Sequence, residues 1–235
     1  ISEQAATDGV TIGVLVEFDS GGNRTGVQSP SAVEELGKQI QLLPGLELRG
    51  LMTYPSRISS KRLVDETIDK FKKSNLPLDI ISGGGTGEEW ESKELGFTEH
   101  RSGSYVYEGL SRIKGAGDGS DLSPERCPLR VVTTIVSVPT SDRLIVDAGM
   151  KTFRLFPSMP YGLILDDPEL KFSGMSVEHG HIDSTGTNRK FSVGDKLTVI
   201  PTYQEGVTNL HDEIVWIRND QVEHVWRNEG RGKVK

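Results

Sequence analysis

The chain has 235 residues, of which 34 are acidic and 27 are basic, so its formal net charge at neutral pH is −7. This length is sufficient for a large core in one domain or two. The lack of a basic stripe argues against a general nucleic-acid-binding protein. The single cysteine, Cys127, excludes an intramolecular disulfide and fits a reducing compartment. No apolar run reaches the roughly 18 residues of a membrane span, and the N-terminus lacks signal-peptide features. We therefore expect a cytoplasmic protein that binds neither nucleic acid nor membrane.

The first part of the chain alternates predicted strands with predicted helices. Near-continuous apolar runs predict two buried strands, at 10–18 and 46–54. Apolar residues at helical spacing predict a helix over 31–42, with Ser29 or Ser31 as its N-cap. A second helix is predicted to end at Asn75, just before a proline. Such alternation is typical of a parallel α/β layout.

The stretch from Leu78 to Glu89, LDIISGGGTGEE, has the strongest local signal. A short apolar strand leads into three glycines and then into the acidic start of a predicted helix. Successive glycines let backbone N–H groups approach an anion, and a helix N-terminus adds partial positive charge. The stretch therefore predicts a phosphate-binding loop, although the motif alone fits a plain βα turn equally well. No Lys-Ser/Thr pair follows the glycines, which argues against a Walker-type nucleotide site.

Polar residues gather where each predicted strand ends, including a fourth strand expected around Gly103 to Tyr107. In a (β/α) barrel the carboxyl ends of the strands share one face, and functional sites form there. We therefore expect these sequence-distant residues to converge. They are Asp19 and Arg24, Tyr54, the glycine loop at 83–86, and Ser104 with Tyr105.

Beyond a glycine- and aspartate-rich stretch near residues 115–123 the pattern becomes β. Short strands are predicted at 129–138, 143–146, 172–177, 196–200, 213–217 and 222–225, and no amphipathic run of helix length is expected among them. We predict two domains, an α/β part over 1–118 and a β part over 119–235.

Seven segments together resemble one enzyme family: DSGGNRTGV at 19–27, GLELRGLMTY at 45–54, SGGGTGE at 82–88, TEHRSGSYVYEG at 98–109, VDAGMKTF at 146–153, SVEHGHI at 176–182 and GDKLTVIP at 194–201. Their order and spacing resemble the fold-type III pyridoxal-phosphate enzymes, in the D-threonine aldolase and D-serine dehydratase branch related to alanine racemase. The resemblance implies the C-terminal part of a (β/α)8 barrel that holds the cofactor, followed by a β-rich domain.

The resemblance also implies a set of cofactor-binding residues. The phosphate would lie on the backbone of Gly84, Gly85 and Thr86, and Ser104 and Tyr105 would complete its cradle. Arg24 would hydrogen-bond the phenolic oxygen of the cofactor, because a fixed cation keeps that oxygen deprotonated. Tyr54 would face the cofactor. From the residues alone, Arg24 could also be a loop cation in solvent. Tyr54 and Tyr105 could be core residues whose hydroxyl groups reach water.

The family's Schiff-base lysine lies on the first barrel strand, and no segment of this chain matches its motif. Lys151 belongs to a β-domain motif of the relatives. We therefore expect another chain or segment to complete the barrel and to supply the lysine. The resemblance further suggests a homo-oligomer.

The relatives' metal pair, His-x-Cys or His-x-Asp, has no counterpart after Pro201, where the chain reads Thr-Tyr-Gln-Glu. A phenol is a poor ligand for zinc or manganese near neutral pH because it is protonated. We therefore expect no metal site of the usual kind. Tyr203 is instead a candidate acid–base residue by its position.

The leading hypothesis is a pyridoxal-phosphate-dependent lyase for small D-β-hydroxy amino acids, either an aldolase or a dehydratase. An amino-acid racemase is the alternative within enzymes, and a non-catalytic pyridoxal-phosphate-binding homologue is the alternative outside them.

Overall fold

A computed structural model describes residues 1–110, 123–154 and 160–233 of the chain. The chain divides into two compact units, Ile1–Tyr105 and Val106–Lys235. The domain boundary predicted between residues 118 and 119 lies outside the described residues.

The first unit is built on a parallel sheet of four strands in sequential order, β1 to β4. Its strands are β1 Ile12–Phe18, β2 Leu46–Thr53, β3 Ile80–Gly83 and β4 Glu99–His100. Its α-helices are α1 Ser2–Thr7, α2 Pro30–Gln41, α3 Lys61–Lys73 and α4 Glu89–Glu94. The predicted parallel α/β alternation is confirmed, since a helix connects each strand to the next.

Local sequence sets the ends of the two long helices. Ser29 caps α2 by accepting a hydrogen bond from the Ala32 N–H, and proline occupies the first turn. Helix α3 ends where Asn75 adopts a left-handed backbone, with φ of 52°. The Asn75 N–H then donates to the Lys72 carbonyl and the Leu76 N–H to the Phe71 carbonyl, which satisfies the last carbonyls of the helix.

The fourth strand was predicted in the wrong place. A strand was expected around Gly103–Tyr107, but β4 comprises only Glu99 and His100, and a 3-10 helix occupies Ser104–Val106. The N–H groups of Gly103 and Tyr105 donate to the side chain of Thr86 instead of to a neighbouring strand. The chain therefore leaves the sheet about three residues before the predicted strand begins.

The second unit is β-rich, as expected. Six strands form one antiparallel sheet in the order β7-β10-β5-β6-β9-β8, and β11 and β12 form a separate hairpin. The strands are β5 Val131–Thr140, β6 Arg143–Val146, β7 Gly162–Ile164, β8 Lys171–Met175, β9 Gly180–Asp183, β10 Lys196–Pro201, β11 Glu213–Arg218 and β12 Gln221–Arg227. The sequence analysis missed β7, β9 and a seven-residue helix, α5 Gln204–Leu210.

Each unit has its own apolar core. Val16, Leu51 and Phe71 are fully buried in the first unit, and Ile135, Phe153 and Ile182 are fully buried in the second. Among the helices of the described ranges, none combines the length and apolarity needed to cross a membrane.

A carboxylate joins the two long helices of the first unit. Glu34 on α2 accepts hydrogen bonds from Lys38 Nζ at 2.6 Å, from Ser74 Oγ at 2.6 Å and from Lys70 Nζ at 3.3 Å. The bond from Lys38, with those from Ser74 and Lys70, lowers the pKa of the Glu34 carboxyl from 4.5 to about 2. Glu34 is therefore ionised in the folded protein at any pH above about 2.

Because the folded pKa lies below the unfolded one, the contribution of Glu34 to stability is complete above pH 4.5 and is lost as the pH falls towards 2. We expect Glu34→Gln to lower the free energy of unfolding at pH 7, with a difference from the wild type that shrinks between about pH 5 and pH 2. Urea unfolding followed by far-ultraviolet circular dichroism measures this difference. Glu35→Gln, on the same helix, is the control and should show little pH-dependent difference. A Glu34→Gln deficit that is equally large at pH 2 and pH 7 would contradict the assignment.

Candidate functional site

The glycines after β3 are required by close packing. A Cβ on Gly84, where φ is +73°, would lie 2.3 Å from the His100 ring, and one on Gly85 would lie 2.9 Å from Tyr54 Cε2. A Cβ on Gly83 would lie 2.2 Å from the Phe97 ring. A larger residue at any of these positions would force its neighbours to move. The backbone is therefore pressed against three rings and carries no side chain of its own.

Thr86 connects the glycine loop to the segment after β4. Its Oγ1 accepts hydrogen bonds from the N–H groups of Gly103 and Tyr105, both at 3.2 Å. Ser104 lies between these two residues at the start of the 3-10 helix. The sequence analysis placed Ser104 and Tyr105 at a strand end, which is wrong, but the structure does bring Tyr105 to Thr86.

Arg24 and Tyr54 lie together in the same unit. The Arg24 guanidinium stands over the Tyr54 ring at 4.7 Å from its centroid, a cation–π contact. Arg24 also forms an ion pair with Glu17 at 3.8 Å. Since Tyr54 is the ring against which Gly85 packs, the predicted residues Arg24, Tyr54 and Gly85 form a continuous set of contacts.

The loop that carries Arg24 is held by a buried carboxylate at the end of β1. Asp19 Oδ1 accepts hydrogen bonds from the N–H groups of Gly21 at 2.8 Å, Gly22 at 2.8 Å and Asn23 at 3.2 Å. The hydrogen bond from Gly21, aided by those from Asn23 and Gly22, lowers the pKa of the Asp19 carboxyl despite its burial. The position of Arg24 therefore depends on this ionised side chain.

Arg101 is a cation at the strand ends that the sequence analysis did not identify. Its Nη1 donates to Ser82 Oγ at 2.5 Å, and its Nη2 donates to the Thr53 carbonyl at 3.0 Å. Ser82 Oγ in turn donates to Glu99 Oε1 at 2.5 Å. The guanidinium thus bridges the ends of β2 and β3.

His100 and Glu89 form a second group that the sequence analysis missed. His100 Nδ1 lies 2.9 Å from the hydroxyl of the buried Ser92, and its Nε2 lies 3.9 Å from Glu89 Oε1. Both carboxylate oxygens of Glu89 accept from the Gly87 N–H at 3.0 Å, and Oε1 also accepts from Ser102 Oγ at 3.2 Å. An ionisable pair therefore borders the glycine loop.

His100 and Arg101 were visible in the sequence, at the end of a short strand in the segment TEHRSG. Because the strand was predicted a few residues too late in the chain, its end was assigned to Ser104 and Tyr105. A strand end set at His100 would have included both residues among the candidates.

The second unit holds Tyr203, the candidate acid–base residue, just before α5. Tyr203 lines a cavity of about 460 Å³ together with Arg154, Glu205 and Arg231. His179 and His181 line a separate cavity of about 550 Å³ on the six-stranded sheet. Within the described ranges, no group of three or more His, Cys, Asp or Glu side chains could hold a metal ion.

Comparison with known proteins relates the chain to two domain families. The "Alanine racemase, N-terminal domain" family matches residues 1–111, and the "Putative serine dehydratase domain" family matches residues 128–217. D-threonine aldolase of an Arthrobacter species is 29% identical over 247 residues, which cover 99% of this chain. A 3-hydroxy-D-aspartate aldolase of Paracoccus denitrificans strain Pd 1222 is 30% identical over 251 residues, with the same cover.

The resemblance to D-threonine aldolase is confirmed. The crystal structure of D-threonine aldolase from Filomicrobium marinum shares the fold, with a TM-score of 0.85 and 24% identity over the whole of this chain and 67% of that one. The chain spans 64% of the length of these two curated relatives. The similarity therefore extends over both units of this chain and over part of the relatives.

We expect Asp19→Ala to loosen the loop that carries Arg24, because three N–H groups lose their shared acceptor. Amide hydrogen exchange over residues 19–26 should become about tenfold faster or more. Asp79→Ala is the control. Asp79 forms an ion pair with Arg49, with 3.3 Å between Oδ2 and Nε, and does not belong to this loop. Unchanged exchange in Asp19→Ala would show that Asp19 does not hold the loop.

Proposed function

We propose that this chain forms part of a pyridoxal-phosphate-dependent lyase acting on small D-β-hydroxy amino acids, by Cα–Cβ cleavage or by β-elimination. Its relatives are named as aldolases of D-threonine and of 3-hydroxy-D-aspartate, which are D-β-hydroxy amino acids. The observation that carries the proposal is the glycine loop. The loop has glycines where its backbone packs against Tyr54 and His100. The Tyr54 ring in turn contacts the Arg24 guanidinium.

The described residues fit the phosphorylated cofactor. Gly84 and Gly85 have no side chain at positions where any Cβ would collide with a neighbour, and successive backbone N–H groups in a glycine turn suit a phosphate. In this proposal Gly84, Gly85, Thr86, Ser104 and Tyr105 hold the phosphate.

Two side chains complete the proposed cofactor site. Arg24 would hydrogen-bond the phenolic oxygen of the cofactor, and Tyr54 would lie against the cofactor ring. The contact between Arg24 and Tyr54 supports assigning them to one ligand.

The bound cofactor supplies an electron sink for the bond that breaks at Cα. The contribution of this chain is to orient the substrate and to move a proton. Tyr203 is proposed as the acid–base residue, in a cavity that Arg154, Glu205 and Arg231 also line and in which Arg231 is paired with Asp212.

The α/β unit is proposed to be the C-terminal part of a (β/α)8 barrel, with a domain boundary near residue 118. The remaining barrel strands and the Schiff-base lysine are proposed to come from another chain or segment, within a homo-oligomer. The sequential parallel order of β1 to β4, with a helical crossover between consecutive strands, is the order that such a barrel requires.

We expect Gly84→Ala to weaken binding of pyridoxal 5′-phosphate by about tenfold or more, because the new methyl group collides with the His100 ring. Isothermal titration calorimetry on the enzyme completed by its lysine-bearing chain or segment measures the dissociation constant, and circular dichroism checks that the variant is folded. Gly103→Ala is the matched control, since a Cβ there meets no atom within 4 Å. If folded Gly84→Ala binds as tightly as the wild type, or if the wild type does not bind the cofactor, the proposal is wrong.

Loss of the Tyr203 hydroxyl should slow the chemical step by about a hundredfold, because proton transfer would lose its side chain. Steady-state cleavage of D-threonine with saturating pyridoxal phosphate compares Tyr203→Phe with Tyr161→Phe, each assayed together with the chain or segment that supplies the Schiff-base lysine. Tyr161 packs edge-on against Phe172 in the same unit, and its variant should keep most of the activity. Equal kcat values for the two variants would remove Tyr203 from the mechanism.

A further inference from the structure

The glycine loop already carries an anion, the carboxylate of Glu89. Both of its oxygens accept from the Gly87 N–H at 3.0 Å, and Oε1 also accepts from the Ser102 hydroxyl at 3.2 Å. Gly87 directly follows Thr86, and Ser102 directly precedes Gly103, whose N–H is bonded to Thr86. The carboxylate therefore joins the same two segments that Thr86 joins, beside the proposed phosphate residues.

Glu89 carries a negative charge at neutral pH. Burial opposes ionisation, but the Gly87 N–H, the Ser102 hydroxyl and the nearby His100 together lower the pKa of the Glu89 carboxyl. His100 Nε2 lies 3.9 Å from Glu89 Oε1 and has no hydrogen-bond partner. The side chain remains 44% exposed, so solvent screens its charge in part.

A phosphate bound on Gly84 to Thr86 would lie beside Gly87, the next residue in the chain, whose N–H holds this carboxylate. Like charges repel each other, and partial screening reduces the repulsion without removing it. The Gly87 N–H and the Ser102 hydroxyl would also have to leave Glu89 before they could bind a second anion.

We infer that Glu89 is an internal anion that opposes phosphate in the glycine loop and thereby sets the affinity of the loop for the phosphate group of its ligand. This inference rests on the proposed function, because it requires the phosphate to bind at Gly84 to Thr86. It assigns Glu89 a role in affinity and none in the chemical step.

Glu89→Gln removes the charge, and the single amide oxygen of glutamine can still accept from the Gly87 N–H and the Ser102 hydroxyl in the place of Oε1. Glu94→Gln removes the same charge at an exposed position of the same helix and is the matched control. Isothermal titration calorimetry measures the dissociation constants of pyridoxal 5′-phosphate and of pyridoxal, which lacks the phosphate. Phosphorus NMR measures the binding of inorganic phosphate.

The expected result is that Glu89→Gln binds pyridoxal 5′-phosphate and inorganic phosphate about threefold to tenfold more tightly than the wild type. Binding of pyridoxal should change by less than about twofold, and Glu94→Gln should resemble the wild type. Amide exchange over residues 84–89 checks that the loop keeps its structure.

Three results would overturn the inference. The first is unchanged or weaker binding of phosphate by Glu89→Gln. If the wild type binds pyridoxal 5′-phosphate and Gly84→Ala binds it more weakly, this result removes the role of Glu89 and leaves the proposed function intact. Equal tightening in Glu94→Gln would show an effect of net charge only. If neither the wild type nor any variant binds pyridoxal 5′-phosphate, the proposed function fails together with the inference.

Discussion

The close approach of the Gly83–Gly85 backbone to the rings of Tyr54, Phe97 and His100 is the contact on which the candidate site depends. These rings come from the end of β2, from the turn before β4 and from β4 itself. The backbone can reach all three only because it has no Cβ atoms there. One steric requirement therefore fixes three neighbouring strand ends relative to each other.

Electrostatics at these strand ends is arranged in pairs. The Asp19 carboxylate accepts hydrogen bonds from N–H groups of the loop that carries Arg24, and the Arg24 guanidinium lies over the Tyr54 ring. Arg101 and Glu89 are each held by hydrogen bonds to a neighbouring segment. Since backbone or hydroxyl partners fix Asp19, Arg101 and Glu89, a ligand would meet charges that are already positioned.

The long elements and the glycine loop could be predicted from the sequence, because apolar periodicity and turn residues are local signals. The cap at Ser29 and the stop at Asn75 belong to this class. The two-residue strand β4 is too short to have a period, so its end was misplaced. The contacts of His100 with Ser92 and of Arg101 with Thr53 depend on how the strands pair, and no residue spacing in the sequence predicts them.

The hydroxyl of Ser82 lies between a cation and an anion, accepting from Arg101 and donating to Glu99. A hydroxyl has a single proton, and a guanidinium cannot accept a hydrogen bond, so the three groups can be ordered in only one direction. The end of β3 is therefore polar in a defined sense, with its positive side towards Thr53 and its negative side towards the outer strand. A reversal of both hydrogen bonds would require Glu99 to gain a proton and Arg101 to lose one, so the single buried Ser82 acts as a fixed dipole within the sheet.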